Sequence, residues 1–577
     1  MKSQPVFQES FDTPPLKLRQ ERVSGNKRKL TLGIMLDSYQ VPAWAYSSIE
    51  QLVNSDYAEI SLIIDNKSPG APESKLLRLW KKRHRVVYDV FNKIDKKLYH
   101  REPDPFKLRD LREILSGTPV IEVKPIQKRN SDYFKISDVE RIKEYDLDIL
   151  VKMGFRTLRG EILAVSKYGI WSYHHGDNRI NRGEPSGFWE VVEGWPETGS
   201  GLHILSESLN NGKVLYRSSF FTYPFSPTLN RIYYFWPSSL FLPRQVEFLY
   251  RFGEGKFYEE IERFNQEFEF YNHRQYKTPS NVLALSLIAR LLAKKILQIF
   301  QRVFYFDQWF MMFDLENDRS LSFFKFKKLI PPKDRYWADP HVIQRDGRYY
   351  IFFEEYIYKI KKGHISVIEM DQKGKFRNPV RVLEKNYHLS YPFVFECEGK
   401  YYIVPESRGN KTIDLYECVN FPDKWTFKMT LMESVNAVDT TLLHYCGKWW
   451  LFSAIAQYEG YFPQVELFLF FSETLFTSKW TPHPLNPIVS NVKRARPAGR
   501  IFRKNGKIFR PSQDCSKMYG YGFDINEILL LSEAEYLERN VASARPHWEK
   551  RIKAIHTFAN EGQLTVIDGC MKRRRCF

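Results

Sequence analysis

Apolar and polar positions follow two different patterns in the two halves of the chain. In the first half, short apolar runs alternate with segments in which apolar residues recur at helical spacing. The runs LTLGIML (30–36), SLIIDN (61–66), PVIEVKPIQ (119–127) and DILVKMGF (148–155) are predicted strands. Because strand, helix and strand alternate in this way in parallel α/β sheets, we predict a doubly wound α/β domain for this half.

The second half consists of β-rich segments separated by turns, and it is internally repetitive. The repeats are DPHVIQRDGRYYIFFEE from 339, PFVFECEGKYYIVPES from 392, DTTLLHYCGKWWLFSA from 439, PAGRIFRKNGKIFRPSQD from 497 and, more weakly, HTFANEGQLTVIDG from 556. A repeat spacing of roughly 50 residues favours an all-β five-bladed propeller. A β-sandwich with coincidental hairpins is the alternative.

Predicted helices join the two halves. In their last part, residues 280–304, leucine and isoleucine recur at helical spacing, but Arg290, Lys294 and Lys295 interrupt the apolar run, which excludes a clean membrane-spanning helix. The segment fits either an amphipathic helix on an anionic membrane surface or a buried linker helix. The predicted organisation is a loose leader (1–29), an α/β domain (30–235), a helical linker (236–304) and a propeller (305–577).

Charge and cysteine content narrow the function classes. The 577-residue chain has a formal net charge of +19, but its lysines and arginines are spread widely and accompany no nucleic-acid-binding motif. We therefore expect no nucleic-acid partner, and attribute the charge to anionic lipid or phosphorylated substrates. None of the six cysteines forms a CxxC pair, so no metal site is predicted.

The N-terminal sequence shows no signal-peptide pattern. We therefore expect reduced thiols and a cytoplasmic location, with peripheral attachment to the inner face of the plasma membrane through 280–304 as a further expectation.

The stretch 146–217 carries the candidate chemistry of the first half. A Gly-Ile-Trp-Ser-Tyr run predicts a strand that delivers His174 and His175 into a polar loop. Imidazole titrates near neutral pH, and loops at the carboxyl ends of strands commonly hold ligands in α/β sheets. The alternative is that one histidine points to solvent while the other satisfies a buried carbonyl group.

This stretch resembles the core of the folate-dependent formyltransferases, which include methionyl-tRNA, glycinamide ribonucleotide and sugar N-formyltransferases. Without gaps, the family histidine falls on His174, the Arg-Gly pair on Arg182 and Gly183, and the Thr-Gly pair on Thr198 and Gly199. The sequence departs from the family at two positions. The family asparagine falls on Ser172 and the family aspartate on Asn210.

The resemblance implies transfer of a formyl group from 10-formyltetrahydrofolate to an amino sugar, carried on a nucleotide or lipid, in surface glycan biosynthesis. His174 and Ser172 would stabilise the developing oxyanion, and the Arg-Gly and Thr-Gly pairs would contribute to the substrate site. Asn210 cannot act as a base. Either another carboxylate, Asp177 or Glu184, takes that role, or the activity is altered or lost.

The second half resembles the five-bladed propellers of glycoside hydrolases, which often open with Trp-Ala-Asp-Pro. It also resembles the N-terminal domain of plant glucosamine inositolphosphorylceramide transferases, with which it shares WADP, FFEE, DTT and HTF landmarks. The resemblance implies a propeller that binds a glycan. The alternatives are a glycosidase-type enzyme or a non-catalytic glycan-binding protein, each with a degenerate formyltransferase domain. The residues predicted to line the propeller funnel are Asp339, Glu355, Glu406, Asp439 and Asp514.

Overall fold

The computed structural model describes residues 27–68, 80, 82–177, 179, 183–207, 212–266, 274–315, 322–458 and 463–575. The chain divides into two compact units, one ending at Gln301 and the other beginning at Arg302.

A seven-stranded sheet forms the centre of the first unit. The described strands are β1 (Leu30–Leu36), β2 (Gln40–Pro42), β3 (Ala58–Asn66), β4 (Leu108–Asp110), β5 (Val120–Val123), β6 (Ile126–Lys128), β7 (Ser131–Tyr133), β8 (Ile149–Lys152), β9 (Thr157–Arg159), β10 (Ile170–His174), β11 (Glu197–Ile204) and β12 (Lys213–Phe221). The central sheet has the order β12-β11-β10-β8-β1-β3-β5, while β2 pairs with β4 and β6, β7 and β9 form a small sheet. The strands from β10 to β5 are parallel, and β11 pairs antiparallel with both β10 and β12.

Both faces of this sheet are buried, which explains the continuous apolar runs of its strands. Ile34 and Leu36 pack on one face with Ile49 of the following helix. Met35 and Leu62 pack on the other face. The predicted parallel strands at 30–36 and 61–66 are confirmed. The run 119–127 instead divides into β5 and β6, because Pro125 between them lacks the N–H that a continuous ladder requires.

The described helices of the first unit, with the helix that leads into the second, are α1 (Ala43–Val53), α2 (Val86–Tyr99), α3 (Ile136–Lys143), α4 (Trp189–Glu193), α5 (Pro227–Ser239), α6 (Phe241–Asn265) and α7 (Asn281–Phe304); 3₁₀ turns lie at Arg83–Arg85 and Glu161–Ala164. Helix α6 is kinked at Gly253, whose φ of 77° is outside the helical region. The predicted helix over 280–304 is confirmed as α7. No helix among the described residues is both long enough and apolar enough to cross a bilayer.

The second unit contains five successive sheets. The first holds β13 (Tyr305–Asp314), β14 (Lys327–Leu329), β32 (Ile552–Ala554), β33 (Phe558–Glu561) and β34 (Leu564–Arg574). The second holds β15 (Arg335–Arg345), β16 (Arg348–Ile357), β17 (Lys362–Met370) and β18 (Val380–Leu383), and the third holds β19 (Ser390–Cys397), β20 (Lys400–Ser407), β21 (Thr412–Asn420) and β22 (Lys424–Met432). The fourth holds β23 (Ala437–Tyr445), β24 (Lys448–Ile455), β25 (Glu466–Ser472), β26 (Thr481–Pro482) and β27 (Val489–Ser490), and the fifth holds β28 (Phe502–Lys504), β29 (Lys507–Asp514), β30 (Gly522–Leu531) and β31 (Tyr536–Ala544). Short 3₁₀ turns lie at Phe323–Lys325 and Arg408–Asn410.

Hydrophobic clusters lie between consecutive sheets of this unit. Clusters join the first sheet to the second, the second to the third, the third to the fourth and the fourth to the fifth. A further cluster, with Phe310, Phe523 and Ile567, joins the fifth sheet to the first. The alternating apolar residues of each hairpin therefore pack against the two neighbouring sheets.

Each of the strands β15, β19 and β23 carries a bulge near its start. The bulged residues Asp339, Tyr391 and Asp439 have left-handed φ values of 54°, 41° and 51°. Non-glycine residues rarely adopt this region, and bulges are used to redirect side chains. The same distortion at the same place in three repeats orients these side chains in a common way.

Candidate functional site

Three polar side chains form a row at the carboxyl edge of the first unit's sheet. Ser172 of β10 pairs with Lys152 of β8 on one side and with His203 of β11 on the other. Residues in register on neighbouring strands share a face, so all three project on the same side. His174 lies two residues after Ser172 in β10 and therefore joins them on that face.

His174 has an imidazole neighbour. The rings of His174 and His203 have centroids 5.5 Å apart. Burial, together with the positive charge on protonated His174, lowers the pKa of His203 to about 4, although Asp177 acts in the opposite direction. His203 is therefore a neutral imidazole at neutral pH, able to accept or donate a hydrogen bond without carrying charge.

His175 has a structural role. Its ring stacks on Phe235 at a centroid distance of 3.9 Å and meets the ring of Trp44 edge-on at 4.7 Å. Its Nδ1 lies 3.3 Å from the Ser200 hydroxyl oxygen. Burial, with a smaller contribution from His174, lowers its pKa to about 3. The adjacent histidines thus have different environments. Trp44 and Phe235 form an aromatic cage, and the histidine inside it is His175.

The cage makes the first unit sensitive to acid. The folded-state pKa of His175 lies below the ordinary value of 6.5, so the unfolded chain takes up a proton first as the pH falls. Stability is therefore lost as the pH falls from 6.5 towards about 3, at about 1.4 kcal/mol per pH unit. We expect His175→Phe to reduce this slope in urea unfolding measured between about pH 7 and about pH 5. His444→Phe, at an exposed position, should leave it unchanged.

The two carboxylates expected to replace the family aspartate have other contacts. Asp177 accepts hydrogen bonds from Arg179, whose Nε lies 3.0 Å from Oδ1. Burial raises the pKa of Asp177, but these hydrogen bonds and the Arg179 charge outweigh it, and the net pKa is below its usual range. Glu184 accepts a hydrogen bond from the backbone N–H of Ser186 at 3.3 Å. Asp177 is therefore an ion-paired carboxylate, not a poised base.

The other residues that were predicted to bind substrate pack against the backbone around the row of Lys152, Ser172 and His203. Thr198 is fully buried, and its hydroxyl lies 3.0 Å from the Nδ2 of Asn230. Gly199 packs so closely on Asp177 that a Cβ would collide with it, and Gly183 packs in the same way on the backbone of Tyr276. Arg182 and Asn210 lie outside the described residues.

Lys152 and His203 were not among the predicted site residues. Burial lowers the pKa of Lys152, while Asp37 and Asp132 partly offset that effect. Lys152 lies within the predicted strand at 148–155 and is the last residue of β8, and a charged residue at the carboxyl end of a parallel strand is a recognisable signal of a site.

A second cluster lies at or next to the start of each of the five repeats of the second unit. It brings together one residue from corresponding positions of the five repeats: Asp339, Tyr391, Asp439, Arg496 and His556. The backbone N–H of Tyr391 donates to Asp339 Oδ2 at 3.3 Å, and the Tyr391 hydroxyl lies 2.9 Å from the Thr441 hydroxyl. The cluster is therefore continuous across repeats that are far apart in sequence.

His556 bridges two buried carboxylates. Its Nε2 lies 3.1 Å from Asp339 Oδ1 and its Nδ1 lies 2.6 Å from Asp568 Oδ2. Burial alone would lower the pKa of His556, but Asp568 and Asp339 raise it to about 10. The three side chains are near enough to hold a metal ion. However, both ring nitrogens face carboxylates, which is the geometry of a salt-bridged imidazolium and not of a metal ligand.

Arg496 is the buried cation on the other side of this cluster. Its guanidinium binds Asp439 through two nitrogens, with Nη2 3.1 Å from Oδ1. The side-chain amide of Gln513 also donates to Asp439 Oδ2, at 2.7 Å. Arg496 Nη2 lies 3.5 Å from Glu406 Oε2.

Two glutamates in the cluster are held in the neutral form. Burial and the charge of Asp439 raise the pKa of Glu406 to about 8, although Arg496 acts in the opposite direction. Burial and the charge of Asp339 raise the pKa of Glu354 well above its usual range. Burial also acts on Asp339, but His556 and Arg496 outweigh it and lower its pKa to about 2. The cluster thus combines ionised and protonated carboxyl groups at neutral pH.

Two predicted funnel residues lie elsewhere. Glu355 is held by Arg335, His364 and Ser366, which donate to it at 2.9, 3.1 and 2.8 Å, and Asp514 pairs with Arg545 at 2.7 Å. Asp339, Glu406 and Asp439 do meet in the cluster.

The distance of each residue from the turn glycine of its hairpin explains why Glu355 and Asp514 were wrongly predicted to lie in the cluster. The residues seven positions after Gly347, Gly399, Gly447 and Gly506 are Glu354, Glu406, Ala454 and Gln513. Glu355 and Asp514 follow one position later, and consecutive residues of a strand project to opposite faces. Counting from the glycines would have selected Glu354 and Gln513.

Parts of the chain are similar to known proteins. Residues 330–564 match the family model described as Glucosamine inositolphosphorylceramide transferase 1, N-terminal. The chain is 34% identical over 204 residues to Glucosamine inositolphosphorylceramide transferase 1 of Oryza sativa subsp. japonica, covering 35% of this chain and 27% of that protein. It is 34% identical over 116 residues to a Methionyl-tRNA formyltransferase of Prochlorococcus marinus, covering 20% of this chain and 31% of that protein.

The formyltransferase similarity is weak and lies in the N-terminal region. Among solved structures, a family 117 glycoside hydrolase produced by the marine bacterium Zobellia galactanivorans aligns with a TM-score of 0.31 at 12% identity, covering 46% of this chain and 91% of that chain. The chain spans 27% to 31% of the length of these two curated relatives. Both are named as transferases.

Proposed function

We propose that the first unit transfers a formyl group from 10-formyltetrahydrofolate to the amine of a sugar. The observation that carries the proposal is the position of His174, at the carboxyl end of a parallel strand and on one face with Lys152, Ser172 and His203. The similarity of the N-terminal region to methionyl-tRNA formyltransferases supports it. Glucosamine, an amino sugar, is part of the name of the relatives of the second unit, which supports the acceptor class.

The hydrogen-bond donors on this face are suited to binding the oxygen of a carbonyl group. An imidazole, a hydroxyl and an ammonium group can each donate to an oxygen on which negative charge develops. When bound, 10-formyltetrahydrofolate supplies an electrophilic formyl carbon. His174 would orient that group, accept the proton that the attacking amine loses and return it to N10 of the tetrahydrofolate that leaves as the bond between the formyl carbon and N10 breaks. His203 lies beside His174 and stabilises its orientation. Because His203 is neutral, it does not repel the proton that His174 accepts.

Asp177 and Glu184 are not needed in this scheme. Asp177 is neutralised by Arg179, and its role is to fix the loop that follows β10 against Gly199. The proposed site therefore relies on imidazoles where the formyltransferase family uses an aspartate.

The test is formylation of a panel of amino sugars, free and as nucleotide conjugates, by the full chain with 10-formyltetrahydrofolate. A formamide product detected by mass spectrometry is the expected result. Failure of every amine to react, together with failure of the folate to bind in calorimetry, would remove the proposal.

We further propose that the five sheets of the second unit are blades of a closed propeller that binds a glycan with the carboxylate cluster on its axis. Pairing of β13 with β34, which unites the first and last strands of the unit, supports closure. The cluster between the fifth and first sheets supports it as well.

Glycoside hydrolysis by this cluster is the second candidate function. Hydrolysis requires one protonated and one ionised carboxyl group, and the cluster contains both: Glu406, with a pKa of about 8, and Asp339, with a pKa of about 2.

Glu406→Gln separates hydrolysis from binding. Glutamine mimics the protonated carboxyl group, so folding at neutral pH should be preserved, but it cannot deliver a proton. If the cluster hydrolyses glycans, we expect the rate to fall by about 100-fold or more while glycan binding is retained. If the wild-type chain binds glycans but releases no sugar from them, the cluster binds glycans and does not hydrolyse them. Glu398→Gln, at an exposed turn position, is the matched control.

A further inference from the structure

Two neighbouring helices of the first unit expose apolar side chains. On α2, Val86, Val90, Ile94 and Leu98 recur every fourth residue with exposed fractions of 48% to 69%. On α7, Val282, Leu285, Leu292, Ile296 and Ile299 recur at intervals of three, four or seven residues with exposed fractions of 51% to 82%. Solvent-exposed stripes of this length are unusual on a helix, since a helix normally turns its apolar side chains inward.

The two helices lie side by side and run in the same direction. The Asn281 side chain at the start of α7 accepts from the backbone N–H of Val87 at 3.0 Å and donates to the Arg83 carbonyl at 2.7 Å. Further along, the Lys295 ammonium contacts the Tyr99 hydroxyl at the end of α2. Between these points, Tyr88 and Phe91 pack with Ala284 and Leu287. The helices are thus fixed as a pair through their inner sides, while the apolar stripes remain outside.

The exposed charge on this pair is predominantly positive. Helix α7 has no acidic residue and four basic ones: Arg290, Lys294, Lys295 and Arg302. On α2, Lys93 and Lys97 are exposed. Its two acids are engaged elsewhere: Asp89 pairs with Arg85 at 3.4 Å, and buried Asp95 accepts from the Ser226 hydroxyl and the Thr228 backbone.

We propose that α2 and α7 together form a docking face for an anionic lipid bilayer. Exposed apolar side chains would enter the boundary between head groups and acyl chains, and the lysines and arginines beside them would bind lipid phosphates and carboxylates. The positive charge selects an anionic membrane over a second copy of this chain, because two copies of this face would bring like charges together. The proposal is independent of formyl transfer and places the protein at a lipid surface.

The test is flotation of the full chain with vesicles of phosphatidylcholine, alone or mixed with phosphatidylserine. We expect binding only to the mixed vesicles, weakened by salt. The pair Leu285→Glu with Ile296→Glu, and separately the pair Lys93→Glu with Lys97→Glu, should each weaken binding by about tenfold or more. The matched controls are Val419→Glu with Val541→Glu and Lys424→Glu with Lys504→Glu, all at exposed positions of the second unit.

Three results would overturn the proposal. They are absence of binding to anionic vesicles, equal binding by the α2 and α7 variants and their controls, and concentration-dependent dimers in analytical ultracentrifugation that the Leu285→Glu, Ile296→Glu pair dissociates. Circular dichroism and an unchanged midpoint of urea unfolding verify that each variant is folded.

Discussion

His174→Ala is expected to lower the rate of formyl transfer by about 100- to 10,000-fold, the range typical for loss of a general acid or base. The imidazole is the group on the proposed face that can both accept the amine proton and donate to the developing oxyanion. Since His174 is half-buried on a strand that is fixed by pairing on both sides, its truncation should leave the fold intact. Rates are measured at saturating folate with the amino sugar that the panel identifies.

The neighbouring histidines provide the controls for this prediction. His175→Phe retains an aromatic ring in the cage of Trp44 and Phe235, so it should affect the acid sensitivity and not the rate at neutral pH. His444→Ala, at an exposed position of the second unit, should change neither property. A His174→Ala variant that formylates at the wild-type rate would show that the chemistry lies elsewhere.

Arg496→Met is expected to destabilise the second unit by about 3–5 kcal/mol, because removal of one partner of a buried ion pair leaves the other charge without compensation. Arg496 is 8% exposed and binds Asp439, which is completely buried. Loss of the guanidinium would leave Asp439 beside Asp339 and Glu406 in a site from which water is largely excluded. Chemical denaturation at neutral pH measures the loss.

A double variant distinguishes the ion pair from simple packing. Arg496→Met combined with Asp439→Asn removes both charges, so much of the lost stability should return. If the double variant is as unstable as the sum of the two single ones, the charge coupling inferred here is absent. Arg503→Met, at an exposed position, should cost little.

Much of the secondary structure followed from local periodicity. The apolar run 30–36 became β1, and the leucine and isoleucine spacing of 280–304 became α7. The four strong repeats gave the paired strands β15–β16, β19–β20, β23–β24 and β28–β29. These features are predictable because burial on a sheet face or helix side imposes its own period on neighbouring residues. The break of the run 119–127 at Pro125 could also have been predicted from the sequence, since proline has no backbone N–H to donate to a strand ladder.

The candidate sites depended on contacts between distant residues. The family resemblance selected His174, but its physical difference from His175 arises because Trp44 and Phe235 enclose only the second ring. Likewise, Asp177 was chosen for its nearness in sequence, but Arg179 occupies its carboxylate. By contrast, Glu354 could have been chosen over Glu355 from the sequence, because it lies seven positions after Gly347 as Glu406 does after Gly399.

The sequence by itself determined which segments are strands and helices, how the repeats are spaced, and that a histidine pair follows a strand of the first half. Those properties depend on residues a few positions apart. Only the tertiary structure decided which histidine is caged, which carboxylates share the cluster with Arg496 and His556, and that α2 lies beside α7. Each of these is set by pairing register or by packing between residues separated by tens to hundreds of positions, where charge and burial depend on neighbours that no local pattern specifies.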